Sequence, residues 1–199
     1  MMQNAREIGR VQFVQVQRDR LKIGQKPDRY YDPAALMVVE ALRLTPDGVI
    51  GLTASGVQIV DVHHAAHPHT RHRPGINGMS LGFTAHYREM RARFGDHLVD
   101  GIAGENVIIA VEEHLSPEML SGRLAMRSAQ TGQLFHLTGV LPIPPCSEFS
   151  HFAAGGPLPP EALKDVLQFL DDGRRGFYAL LNGQDEAIIR AGDVLLALE

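Results

Sequence analysis

Three features predict a mainly β chain, α+β by class, that closes into a barrel with a few helical insertions. Short segments alternate apolar and polar residues at the strand period. Turn residues separate them at close intervals. Only two stretches carry a clear helical period.

The first strand is read at Arg10–Gln17, RVQFVQVQ, whose alternation slips once between Phe13 and Val14 and so predicts a bulge. Ala35–Leu44 is rich in Val and Leu, and Pro46–Asp47–Gly48 then turns the chain into Val49–Leu52. Val57–Val62 alternates again. From His63 to Gly78 the chain becomes a His-, Arg-, Pro- and Gly-rich loop, long enough to suggest a functional element. Met79–Phe94 is predicted as one helix, from Phe83, Tyr87, Met90 and Phe94 at helical spacing, with Gly95 as its stop.

Strands are expected at Val107–Val111, Arg123–Ala129 and Leu134–Val140, with a short helical piece opening at Ser116–Pro117–Glu118. The second helix is Pro159–Asp172, whose Leu163, Val166, Leu167 and Leu170 form one stripe that Gly173 ends. Phe177–Leu181, Ala187–Arg190 and Val194–Leu198 complete the chain as strands, and no linker divides 1–199 into two domains.

Composition narrows the function classes. With 199 residues, 44% of them hydrophobic, the chain can bury a core without metal or disulfide staples. A net charge of −4 argues against nucleic-acid binding, which draws on clustered Lys and Arg. The lone cysteine forms no internal disulfide and suits a reducing cytoplasm. Met1–Arg10 has no signal-like apolar run, and no segment approaches the roughly 20 apolar residues of a membrane helix.

Four constellations stand out as carriers of chemistry. Cys146 follows Leu141–Pro142–Ile143–Pro144–Pro145, where three prolines stiffen an extended path, and it precedes a glycine-rich loop. So placed, it is either a positioned nucleophile or a small buried hydrophobe. In Asp100–Gly101–Ile102–Ala103–Gly104–Glu105–Asn106, two glycines shape a turn, and Glu105 and Asn106 either bind backbone or face a ligand. Arg174 and Arg175 would point to opposite faces of an extended segment, so one can bind an anion while the other is solvated. The histidine loop gathers Asp61, His63, His64, His67, His69 and His72 beside Arg71 and Arg73, a donor set for zinc or another divalent ion. His86 lies on the following helix. No phosphate-binding glycine loop, dinucleotide fingerprint or nucleophile elbow is present.

The turn at 100–106, Pro145–Cys146, and Gly173–Arg174–Arg175–Gly176–Phe177–Tyr178 with Ala191–Gly192–Asp193–Val194 occur in an order that resembles the MOSC family. That family is named for the C-terminal domain of molybdenum cofactor sulfurases. The resemblance spans about residues 8 to 198, most closely from Asp100 onward. It implies a single MOSC-like β-barrel whose cysteine carries persulfide sulfur or ligates the molybdenum of molybdopterin. Cys146 takes that part here, and Arg174, Arg175, Glu105 and Asn106 would surround the cofactor. A cysteine desulfurase as sulfur donor, or a molybdoenzyme as acceptor, would be the partner. Some members reduce N-hydroxylated compounds. Pyridoxal phosphate belongs to a separate domain of full sulfurases, which this chain is too short to include. The family's Gly-Asp-Arg-His stretch has no clean counterpart, and His67, Arg71, Arg73 and His86 are the candidates to replace it. Outside the resemblance, the remaining reading is a non-catalytic binding module with a metal in the histidine loop.

Overall fold

The computed structural model describes residues 5–70, 78–182 and 186–198. In chain order its strands begin with β1 (Ala5–Gln17), β2 (Lys22–Ile23), β3 (Tyr30–Tyr31), β4 (Leu36–Val39), β5 (Ala41–Thr45), β6 (Gly48–Leu52) and β7 (Gln58–Val60). Next come β8 (Met79–Phe83), α1 (Thr84–Phe94), β9 (Val107–Ala110), β10 (Arg123–Arg127) and β11 (Leu134–Pro142). Two short helices, α2 (Ser147–Ala153) and α3 (Pro160–Leu170), precede β12 (Phe177–Leu181), β13 (Ala187–Arg190) and β14 (Val194–Leu198).

Seven of the described strands close a barrel in the order β1, β14, β10, β11, β12, β8, β9 and back to β1, with β4 added alongside β1. Closure removes the unpaired edges that an open sheet of this length would expose. A second sheet, ordered β13, β5, β6, β7, packs on β1, where Gly51 lets the backbone approach Val16 and Val39. One core runs through both, from Val14 and Val16 to Leu42, Leu81, Ile109, Phe177 and Leu195. Against β9 the register of β1 shifts between Val11 and Phe13, within two residues of the expected slip, and against β14 it shifts between Glu7 and Gly9.

A second apolar cluster lies outside the barrel. Ile108 points opposite to Val107 and Ile109 and belongs to this cluster with Tyr87, Met90, Leu98, Phe149 and Leu170. The three helices and the β2–β3 hairpin thus form a cap on one barrel wall. Among the described residues, no helix is long and apolar enough to cross a membrane.

Two expectations are corrected. Met79–Phe83 is a strand, and the helix begins only at Thr84. Every residue of β8 is buried between β9 and β12, with Met79, Leu81 and Phe83 on one face and the small Ser80 and Gly82 on the other, and this short alternation is masked by the helical spacing that runs on from Phe83 into α1. The segment after Cys146 forms α2 rather than a loop. Seven residues span barely two turns, too few for a helical period to stand out. Strands β2 and β3, at two residues each, left no signal in the sequence.

Candidate functional site

The barrel and its cap meet at a cavity of about 330 Å³ that contains Cys146 in its lining. Its deepest charged pair is Glu105 and Arg175, with side chains 1% and 11% exposed. Arg175 Nη1 donates to Glu105 Oε1 at 3.1 Å, and Nη2 donates to the Ala103 carbonyl. Tyr87 donates its hydroxyl proton to Glu105 Oε2 at 2.6 Å and accepts from the Ala103 N–H. Burial pushes the Glu105 carboxyl up, while Arg175 and the Tyr87 hydroxyl pull it back. Burial also works against the Arg175 cation, but Glu105, Tyr31, Tyr87 and Cys146 outweigh it and raise its pKa, so Arg175 stays charged.

Local sequence explains why these groups converge. Gly101 and Gly104 both take positive φ, and a Cβ on Gly104 would come within 2.8 Å of Gln17 Nε2 and Leu21. Gln15 donates to the Gly101 and Glu105 carbonyls and Gln17 to the Gly104 carbonyl, so β1 stitches the turn in place. Asn106 donates to Asp61 Oδ2 and accepts from the Ser80 N–H and hydroxyl, joining β8, β9 and the start of the histidine loop. Gly176 has φ +95, and a Cβ there would meet Glu105 Cγ at 2.9 Å.

Cys146 reaches the cavity through its rigid lead-in. Leu141 and Pro142 pair with Tyr178 and Phe177, and the Ile143 N–H then donates to the Gly176 carbonyl at 2.9 Å. The proline segment therefore leaves the sheet beside Arg175. Past Cys146, α2 sets Phe149 under the Arg175 guanidinium, 4.4 Å from ring centroid to Cζ. The Cys146 carbonyl accepts from the Ser150 N–H and hydroxyl.

The outer wall comes from the β2–β3 hairpin. Tyr31 is buried, donates to the Ile102 carbonyl at 2.7 Å and packs on Phe149 and Phe152. Arg29 Nε donates to Glu148 Oε1 at 2.6 Å, with Lys22 Nζ 3.7 Å from Oε2. Burial alone would raise Glu148, yet backbone hydrogen bonding, Arg29 and Lys22 hold it at about 2. Arg20, Lys22, Arg29 and Arg175 thus bring four permanent cations to the lining, against Asp61 and Glu105.

The structure brings together Cys146, Glu105, Asn106 and Arg175, and it places two other expected residues elsewhere. Arg174 turns away from the cavity, with Nε 2.7 Å from Glu89 Oε2 and Nη1 donating to the Phe169 carbonyl. His86 is fully buried beside Phe83, Phe177 and His114, and its Nε2 accepts from the Leu115 N–H. Asp193 of the closing motif is structural: its carboxylate accepts from the Ala129 and Arg190 N–H groups.

Arg71, His72 and Arg73 lie outside the described residues. Of the histidine loop that is described, each imidazole takes its own partner. His63 Nδ1 faces Asp61, His64 Nδ1 accepts from Ala66 N–H, His67 Nδ1 accepts from His69 N–H, and His69 Nδ1 faces Asp19. Among the described residues, no three His, Cys, Asp or Glu side chains are grouped to hold a metal. Sequence reasoning missed Arg29, Lys22, Tyr31 and Glu148. Gln15 and Gln17 of β1 were visible only as the polar half of an alternation, yet Gln15 is buried.

No protein-family model matches the chain, and no curated protein matches it in sequence. Among solved structures it is similar to the YuaD protein from Bacillus subtilis, with a TM-score of 0.58 and 10% identity over 100% of this chain and 99% of that one. A second, described as a hypothetical protein, gives 0.51 and 14% identity over 83% of this chain and 65% of the other. At these identities the likeness establishes the fold alone.

Proposed function

We propose that the chain is a MOSC-type sulfur-handling domain in which Cys146 accepts a sulfane sulfur as a persulfide. The observation that carries this reading is that Cys146 shares one cavity with Arg175, a largely buried cation fixed by Glu105. A thiolate beside such a charge is the nucleophile that sulfur transfer needs. Its sulfur attacks the outer sulfur of a donor persulfide, the donor's S–S bond breaks, and the electron pair leaves on the donor thiolate. Nothing is oxidised overall. A cysteine desulfurase is the donor of choice, and a molybdoenzyme or its cofactor is the acceptor class.

The cavity also suits molybdopterin. Its volume falls within the range of about 300–1,000 Å³ usual for small-molecule sites. Cys146 would supply the thiolate to molybdenum, and Arg20, Lys22 and Arg29 would face the cofactor's phosphate. Bound there, the cofactor would supply two-electron redox chemistry, including reduction of N-hydroxylated compounds. Elemental analysis for molybdenum separates that use from sulfur carriage.

The test is intact-mass spectrometry after incubation with a cysteine desulfurase and cysteine. The expected result is a gain of one sulfur that thiol reductants remove and that Cys146→Ala abolishes. An unmodified wild-type chain, or equal loading of Cys146→Ala, refutes the proposal.

A further inference from the structure

We propose that the Cys146 cavity also takes sulfur from a small anion of the thiosulfonate class, thiosulfate being the simplest, which its cations bring to the cysteine. This deepens the sulfur-handling reading above and rests on it. Arg20, Lys22, Arg29 and Arg175 line the cavity with Cys146, against Asp61 and Glu105. Glu148 stands beside Arg29 and Lys22, and with its charge included the cations still lead by one. The carboxylates are engaged by protein donors. Asp61 accepts from the Gln17 N–H at 2.8 Å, from Asn106 Nδ2 at 3.0 Å and from the His63 N–H at 2.9 Å. Glu105 accepts from Arg175 and Tyr87, and Glu148 from Arg29. Arg20 is in the opposite position. Its Nε and Nη2 donate to the His69 carbonyl at 3.3 and 3.1 Å, and it forms no salt bridge among the described residues. A full positive charge therefore stands at the lining without a carboxylate to answer it.

Arg175 carries charge to the sulfur itself. Its guanidinium lies over the ring of Phe149, three residues past Cys146, and the Cys146 sulfur is near enough for its negative charge to help raise the Arg175 pKa. The bonds to Glu105 and to the Ala103 carbonyl use two of its five N–H groups. Such a cation matters most for an anionic donor. Thiolate and thiosulfate repel each other, and the repulsion grows as water is excluded. A surplus of positive charge in the cavity reverses that sign and concentrates the anion there. The volume of about 330 Å³ holds a small anion without breaking the Arg29–Glu148 tie that closes the outer wall.

The step balances without an added oxidant. The Cys146 thiolate bonds to the outer sulfur of thiosulfate, the S–S bond of thiosulfate breaks, and the electron pair leaves on sulfite. The products are the Cys146 persulfide anion and sulfite, with the total charge unchanged. Negative charge builds on the sulfonate oxygens as the bond breaks, where guanidinium N–H donors stabilise it.

Two readouts test the donor class. In the first, the full chain is incubated with thiosulfate and followed by intact-mass spectrometry and by sulfite release. The expected result is one added sulfur and one sulfite per chain, with the sulfur removed by cyanide as thiocyanate and no loading of Cys146→Ala. Arg20→Gln alters an exposed side chain and should load roughly 10-fold more slowly at low salt, the low end for a cleft that focuses charge. The gap should close as sodium chloride rises. The second readout needs no sulfur transfer: Cys146 is alkylated by iodoacetate, an anion, and by iodoacetamide, its neutral counterpart. The ratio of the two rates should exceed that of 2-mercaptoethanol at the same pH and fall several-fold in Arg20→Gln, with thermal melting confirming that the variant is folded. A wild type that loads from a desulfurase but never from thiosulfate overturns the donor class and leaves the sulfur reading standing. Loading from neither donor overturns both. Thiosulfate loading and an alkylation ratio that Arg20→Gln leaves unchanged at low salt overturn the selection by charge.

Discussion

Arg174 and Arg175 are adjacent in the chain, and each pairs with a glutamate, but on opposite sides of the cap. Arg175 reaches Glu105 in the cavity, where the two side chains are 11% and 1% exposed. Arg174 reaches Glu89 on the outer side of α1, at 25% and 34% exposure, where Glu89 also faces His114 Nδ1 at 2.9 Å. The two are the central residues of a turn closed by the Gly176 N–H on the Gly173 carbonyl at 2.8 Å, and Asp172, Gly173 and Gly176 around them all take positive φ. The chemical pair is the same in both places, and the solvent is not. Coulomb attraction and desolvation cost both grow as water leaves, so the inner pair is tightly coupled to the fold and the outer pair is nearly optional.

The largest expected effect follows from breaking the inner pair on one side only. Arg175→Leu leaves Glu105 buried with Tyr87 as its remaining side-chain donor. Such a break costs on the order of 3–5 kcal/mol, read as a lower midpoint in urea. Adding Glu105→Leu should recover part of that loss, because the stranded carboxylate is then gone. If Arg175→Leu proved no more costly than a change at Arg174, burial would not be what separates the two pairs.

A smaller effect sharpens the outer side. His86 lies behind Arg174 with its Nδ1 buried and unpartnered, and burial, then the neighbouring His114, push it from 6.5 down to about 4. Its folded value is depressed, so the unfolded chain takes up the proton first as pH falls. The stability tied to a neutral His86 is complete above about pH 6.5 and is lost progressively down to about pH 4. A difference of that size amounts to roughly 3 kcal/mol across the window. His86→Gln keeps an acceptor for the Leu115 N–H and should flatten this acid limb, measured as urea midpoints at several pH values. An unchanged slope would show that His86 is not the group being titrated.

The same contrast explains what the sequence could carry. Strands β9 to β14 announce themselves as short apolar runs between turn residues, with clear alternation of burial in β12 and β13, whereas β8 is masked by a helical spacing that continues into α1. Glu105, Asn106, Cys146 and Arg175 stand next to glycines and prolines whose backbone demands mark their segments. The divergence of Arg174 and Arg175 was expected from strand alternation, and it occurs, but a glycine turn produces it. Arg29, Lys22 and Glu148 come from a hairpin and a helix each too short to have a period, and they meet across 119 residues of chain, as Arg29 and Glu148 do. Nothing local in the sequence records such a meeting. The Asp61–His63 contact is local, at two residues' separation, yet a tertiary bond from Asn106 gives it direction.

The smallest expected effect belongs to Arg174→Ala. Ion pairs that water still reaches contribute about 0–1 kcal/mol, since solvent competes for both charges and the long side chains lose entropy in pairing, and this pair keeps 25% and 34% exposure. Arg174 also spreads its guanidinium over Phe169, 4.9 Å from the ring centroid, which adds a contact that salt does not screen. The variant should therefore lose less than about 1 kcal/mol in urea, and only the part due to Glu89 should shrink as salt rises. Glu89 is held below its ordinary value, against the effect of its burial, by Arg174 and His114 together. With His114 still in place, Arg174→Ala should move that carboxyl only part of the way back, a change that NMR titration of its side-chain carbon can follow. Sulfur loading at Cys146 should be untouched, because Arg174 faces away from the cavity. A clear loading defect in Arg174→Ala would mean that the two arginines act as one unit, and the division between inner and outer pairs would no longer describe the molecule.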